Sequence, residues 1–298
     1  MARHKVITGK MQRLLLAATV ALIPLPSPGE TRDLVSAFAN ASDARTGIAA
    51  PGGPLTCEMC DLRYRRFVGA RMDASRLNGA YLFGSDLSRA SFVGADFESA
   101  NLVLAILERT DFSNANLSKA YMARASMLGA TLRGADVSFG QLEEAYLEGA
   151  ELTDAVMTGA VLSRANLFRV FANRVVLRNA DMQQANLKEA DFRDAKLQGV
   201  KLRQANLTGA DFRMADLTNA DLRDAILVDV NLSHARLTGA DLSGAKLMGA
   251  TIFGTNLKSA NFAKADLSGA KYASAVENET NFCGATMPNG AKGKCPGE

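Results

Sequence analysis

The chain has no tryptophan, only two histidines and 6% aromatic residues among its 298 positions. A core so poor in rings is not organised around large anchors. Its 48% apolar content comes mainly from alanine and leucine, so the core is assembled from small, similar parts. His4 lies near the start and leaves His234 alone for the body, so imidazole acid–base chemistry and histidine metal sites have almost nothing to work with. Seven prolines against 25 glycines exclude a collagen-like or proline-rich disordered chain. Charge of one sign is also lacking in the body. The formal net charge of +3 belongs to residues 1–39, where Arg3, Lys5, Lys10, Arg13 and Arg32 face only Glu30 and Asp33. The remainder holds 29 basic and 29 acidic residues. That balance argues against a phosphate-binding surface and equally against an acidic mimic of nucleic acid.

No apolar run is long enough to span a bilayer. The longest candidate, Leu14 to Ile23, is about ten residues. It follows the basic residues 3–13 and precedes Pro24, Pro26 and Pro28, which break a helix. A basic start, a short apolar stretch and a breaker form a secretory signal, predicted over residues 1–39. Ala37-Phe38-Ala39 supplies a small-x-small cleavage site, and a start at Met11 gives the signal an ordinary length. Residues 40–56, small, polar and rich in Gly and Pro, read as a linker. Export to the periplasm or beyond is the predicted location, with the thylakoid lumen as an alternative and the cytoplasm if the signal is not functional. No transmembrane span is expected after signal removal.

What the sequence does have is a repeat of five. In Ala190-Asp191-Phe192-Arg193-Asp194 and Ala195-Lys196-Leu197-Gln198-Gly199, alanine recurs every fifth residue and a large apolar residue follows two places later. Calling the large position i, it falls at 62, 67, 72 and on to 272 without an insertion, through 43 units, and only Ala172 lacks a large apolar residue there. The pattern continues weakly through Phe282 and Met287. A period of five fits neither a helix of 3.6 nor a strand of 2.0 residues. It requires a backbone that turns a corner once per unit, and four corners close a coil of 20. Stacked coils then pair at about 4.8 Å. Position i fills the centre, i−2 points inward near a corner where only a small side chain fits, and i−1, i+1 and i+2 face water.

These residues resemble the pentapeptide-repeat family, whose consensus is A-(D/N)-L-x-x. Ala115-Asn116-Leu117, Ala205-Asn206-Leu207 and Ala265-Asp266-Leu267 match it literally. The resemblance spans about residues 60–287 and implies an all-β fold, a right-handed quadrilateral β-helix of about eleven coils. The predicted organisation is the β-helix over 57–287 and a C-terminal tail or cap over 288–298.

Residues 20 apart share a face. Phe92 is expected to stack on Phe112 and Phe192 on Phe212, as interior packing. Ala172 falls between Leu152 and Phe192, and Val170 and Val175 occupy neighbouring alanine slots, which predicts a local exchange of volume. Arg124, Glu144 and Arg164 form a charge ladder of solvated surface. Two apolar groups stand at exposed positions. Val156, Val161, Phe168, Phe171 and Val176 form the first candidate patch for partner binding or self-association, and Phe83, Val103, Leu104 and Ile106 the second. Ordinary strand preference accounts for such residues equally well.

Cys57 and Cys60 open the repeats, while Cys283 and Cys295 close them about eleven coils away, so one chain cannot gather four thiols around a metal. Two local disulfides, Cys57–Cys60 and Cys283–Cys295, are the candidates in an oxidising compartment, with free thiols as the alternative. The tail is predicted to fold back if Cys295 bonds Cys283. Acidic and amide residues are single and evenly spread on a convex rod with a filled centre. No enzyme activity, cofactor, metal or small-molecule substrate is therefore expected. The predicted function is an exported scaffold or protein-interaction rod of the bacterial envelope, without nucleic-acid binding. The alternative is a cytosolic DNA mimic that binds DNA gyrase or topoisomerase, as some family members do. Asp111, Glu151, Asp191 and Asp211, on one face, would be its acidic stripe.

Overall fold

The structure, a computed structural model, describes residues 54–295. The predicted signal and residues 40–53 of the predicted linker lie outside the described residues. From Thr56–Arg76 to Asp266–Thr286, every residue at i−1 pairs in parallel with the residue twenty places later. These pairings form four ladders, one per side of a quadrilateral β-helix. The first face runs through Asp136, Val156, Val176 and Lys196. The second runs through Gln141, Val161 and Asp181, the third through Tyr146, Asn166 and Asn186, and the fourth through Glu151, Phe171 and Asp191. Each face is about one bridge wide per coil. Among the described residues, three consecutive residues pair in only one place, on the fourth face, where β1 (Thr251–Phe253) lies parallel to β2 (Lys271–Ala273).

The hydrogen bonds of one unit explain why the period is five. In 205–209, Ala205 N–H bonds back to Leu202 O, Asn206 N–H to Ala185 O one coil below, and Leu207 and Gly209 N–H to Ile226 O and Val228 O one coil above. Thr208 N–H is left without a backbone acceptor, and the Asn206 side chain takes it at 3.2 Å. A buried or half-buried N–H needs a partner, and Asp and Asn bond their own backbone two residues on. The D/N preference at i−1 is thus a cap on the i+1 amide, repeated at Asp86–Ser88, Asp111–Ser113 and Asn231–Ser233.

The corner is a turn closed by the bond from the next i−2 N–H to the carbonyl of i, with the residue at i+2 left-handed. This is the type II pattern. All 46 such positions from Met59 to Gly284 have positive φ, yet only 16 are glycine. Stacking with the coils above and below imposes the corner, since local preference alone would demand glycine at each.

The interior is as expected. Phe92 stacks on Phe112 with centroids 5.6 Å apart, Phe97 meets both edge-on, and Phe192 stacks on Phe212 at 5.1 Å. Ala172, Val170 and Val175 are all fully buried side by side, so two valines fill what a large residue at 172 fills elsewhere. Ser and Thr that replace alanine at i−2 are satisfied inside the coil: Ser85 and Thr110 donate to Leu82 O and Leu87 O, and the Ser75 hydroxyl oxygen accepts from Leu55 N–H.

Both ends are closed by disulfides. Cys57 and Cys60 are joined and buried at the first coil. Cys283 and Cys295 are joined, and the tail folds back antiparallel on the last coil. Gly284 N–H bonds Gly293 O and Gly293 N–H bonds Ala285 O, beside the Thr286–Lys292 bridge. A side chain at 293 would collide with Phe282 O, which explains the glycine there.

Candidate interaction surfaces

Exposed large apolar side chains are unevenly distributed. Met59, Tyr64, Leu104, Ile106, Tyr121, Leu128, Phe139, Tyr146, Val156 and Phe171 stand on the N-terminal half, against Met214, Met248, Phe253 and Val276 on the other. The polar frame of the repeat is alike in both halves, so the asymmetry reflects side-chain choice and not fold.

The second predicted patch is contiguous. Phe83 and Val103 are stacked at the corner between the second and third faces, where Gly84 N–H bonds Val103 O. Leu104 shares that corner and Ile106 begins the third face. Tyr64, 70% exposed, extends it, with its ring edge-on to Phe83 at 5.6 Å and lying over Gly84.

The first predicted patch is divided by the coil. Val156 and Val176 are bridged on the first face, Val161 lies on the second, and Phe171 lies on the fourth, opposite Val161. Phe168 is half-buried at the corner before Phe171, and the Arg169 guanidinium covers its ring at 4.7 Å. Phe139, 57% exposed, belongs with the valines instead. It sits at the corner between the first and second faces and lies across Gly159. The signal was present in the sequence: a bulky residue at i+2 with glycine twenty places later, as in Tyr64–Gly84 and His234–Gly254.

The acidic stripe is neutralised where it is longest. Asp191 and Asp211 bind Arg193 and Arg213 at 2.6 Å, and Glu151 lies 3.5 Å from Arg133. Burial alone would raise the Asp191 carboxyl, but the hydrogen bonds from Arg193 and Asn173 outweigh it and hold the group below the usual carboxylate range. Arg124, Glu144 and Arg164 form the expected ladder, with both arginines 2.7 Å from Glu144. His234 packs edge-on against Phe253 beside an open groove lined by Asn231, Thr251 and Lys271. Among the described residues no cluster of His, Cys, Asp and Glu could hold a metal ion, and no helix is long and apolar enough to cross a membrane.

The sequence profile of the family described as pentapeptide repeats matches in eight copies that cover residues 66–138, 141–170 and 173–252. Its two interruptions fall at Gly140, which replaces an alanine, and at Ala172. Among solved structures, the chain is similar to HetL, a pentapeptide repeat protein involved in heterocyst differentiation regulation from the cyanobacterium Nostoc sp. strain PCC 7120. Identity is 30% over 87% of this chain and 98% of that one, with a TM-score of 0.30. Full-length QnrB1, a plasmid-mediated fluoroquinolone resistance protein, is 24% identical over 65% and 92%, with a TM-score of 0.32. A pentapeptide repeat protein from the Arabidopsis thaliana thylakoid lumen is 36% identical over 29% and 64%, with a TM-score of 0.20. A comparison with curated proteins found no match.

Proposed function

The chain belongs to the pentapeptide-repeat family, and from that premise we propose that it is a rigid, non-enzymatic rod that docks a protein partner in the cell envelope. The observation that carries this reading is the contiguous apolar corner of Tyr64, Phe83, Val103, Leu104 and Ile106. Its neighbours are held by backbone bonds to the coils above and below, so the surface is preformed and little ordering cost accompanies binding. The basic, apolar and proline-broken start of the sequence supports export. The DNA-mimic alternative needs an unpaired acidic face, and the arginines beside Asp191 and Asp211 weaken it.

Photo-crosslinking decides between them. A crosslinker placed at Leu104 in the full chain is expected to give one discrete adduct in the envelope fraction, lost in Ile106→Glu. Cytosolic protein that gives no adduct and inhibits gyrase supercoiling would establish the mimic instead.

A further inference from the structure

The first face carries a run of charges that the chain itself does not pair. On the second, third and fourth faces several carboxylates are matched within the chain, as Asp61 is with Arg63, Asp86 with Arg66, Asp191 with Arg193, Asp211 with Arg213, and Asp221 with Arg223. Asp111, Asp181 and Asp266 on those faces enter no ion pair among the described residues, and near the start of the first face Arg76 is paired with Glu58. On the first face Asp96, Asp136, Lys196, Asp216 and Arg236 enter no ion pair among the described residues. Asp136, Lys196 and Arg236 are exposed.

Their order along the ladder is Asp96, Asn116, Asp136, Val156, Val176, Lys196, Asp216, Arg236. The apolar pair lies at the centre, and the sequence of charges is complementary to its own reverse. We propose that this face is the interface of an antiparallel, side-by-side dimer of two copies of the chain. The two-fold axis passes between Val156 and Val176. Val156 of each copy then meets Val176 of the other, Asp136 meets Lys196, Asn116 meets Asp216, and Asp96 meets Arg236. No like charges are opposed along this ladder over seven coil steps, roughly 34 Å at ~4.8 Å per coil. An isologous contact must satisfy this rule, that residue x meets y and y meets x.

Val156 and Val176 give up the side-chain acceptor that Asp or Asn offers to the i+1 amide elsewhere, so the centre of the face is apolar at a local cost. The surface is distinct from the corner assigned to a partner above, and the proposal stands without that reading. The contact is long and narrow, so its affinity falls at the weak end of specific interfaces, and complementary charge sets its register.

Sedimentation velocity of the full-length chain from low to high micromolar concentration tests it. The wild type is expected to dimerise, with weaker association at high salt. Lys196→Asp sets two acidic pairs in opposition and is expected to weaken the dimer on the order of tenfold or more. The new carboxylate can also cap the Gln198 amide, so this variant is not expected to impair folding. Asp136→Lys combined with Lys196→Asp exchanges the signs and is expected to restore association, which no misfolding explanation accounts for. Wild-type protein that stays monomeric at every concentration, a dimer indifferent to Lys196→Asp, or a double variant that is not rescued overturns the proposal.

Discussion

At the residue scale, the pentapeptide consensus is an account of hydrogen bonds as much as of volume. The inward positions were legible in the sequence because alanine and leucine recur at fixed spacing, and the structure buries them as expected. The reason for Asp and Asn was not legible, because it lies in which amide the neighbouring coils leave unpaired. Removing one such cap, as in Asn206→Ala, is expected to cost about 1 kcal/mol in denaturant unfolding. The reverse exchange, Val156→Asn, is expected to stabilise the monomer by about 0.5–1 kcal/mol by supplying the Thr158 amide with an acceptor. At Gly159, a Cβ would lie 2.8 Å from the Phe139 ring in a left-handed backbone. Gly159→Ala should therefore destabilise by about 1–2 kcal/mol, and Phe139→Ala in the same chain should relieve part of that loss. Equal unfolding midpoints for the single and double variants would show that the ring yields without cost.

At the scale of the coil, the sequence located Ala172 as the break in the core, and the structure shows how it is filled. Ala172→Leu alone adds volume between Val170 and Val175 and is expected to cost about 1–3 kcal/mol. With Val170→Ala and Val175→Ala the consensus core returns, and stability should recover to within about 1.5 kcal/mol of the wild type. A triple variant no more stable than Ala172→Leu would mean that the coil's backbone has adapted to the valines. The exposed patch was read less well. Val161 and Phe171 are ten residues apart in sequence but two corners apart in space, so nearness in number put opposite faces together. Counting by twenty instead of by proximity separates them and brings in Phe139.

At the scale of the whole rod, each coil touches only the next, so stability is a sum of neighbour terms and loss begins at the ends. The last coils are the less buried end. Tyr272 and Phe282 are only partly covered, Val276 is 48% exposed, and Glu277 occupies a position that is apolar elsewhere. Burial, together with the Glu277 carboxylate, pushes the Tyr272 phenol well above the usual tyrosine range, and its Oη makes no hydrogen bond of acceptable geometry. A raised phenol favours the folded state while it is protonated, so this contribution is intact below about pH 10 and is lost as pH rises above it. The depressed carboxyls act at the other limit. Asp61 and Asp221, held down by Arg63 and Arg223, and Asp266, held down by Ser268, contribute above about pH 4 and lose that contribution as pH falls through their folded values. Between these limits the tail is the weak point, because its disulfide and a few bonds to Gly284 and Ala285 are what hold it. Cys295→Ser, in otherwise oxidised protein, should therefore let a protease trim the chain from its C-terminus into the 271–283 coil while residues 92–267 persist. Trimming should be faster at pH 10.5 than at pH 8 relative to a peptide substrate. If the C-terminal fragment proves as resistant in Cys295→Ser as in the wild type, the antiparallel tail is held by its backbone bonds, and the disulfide is not its latch.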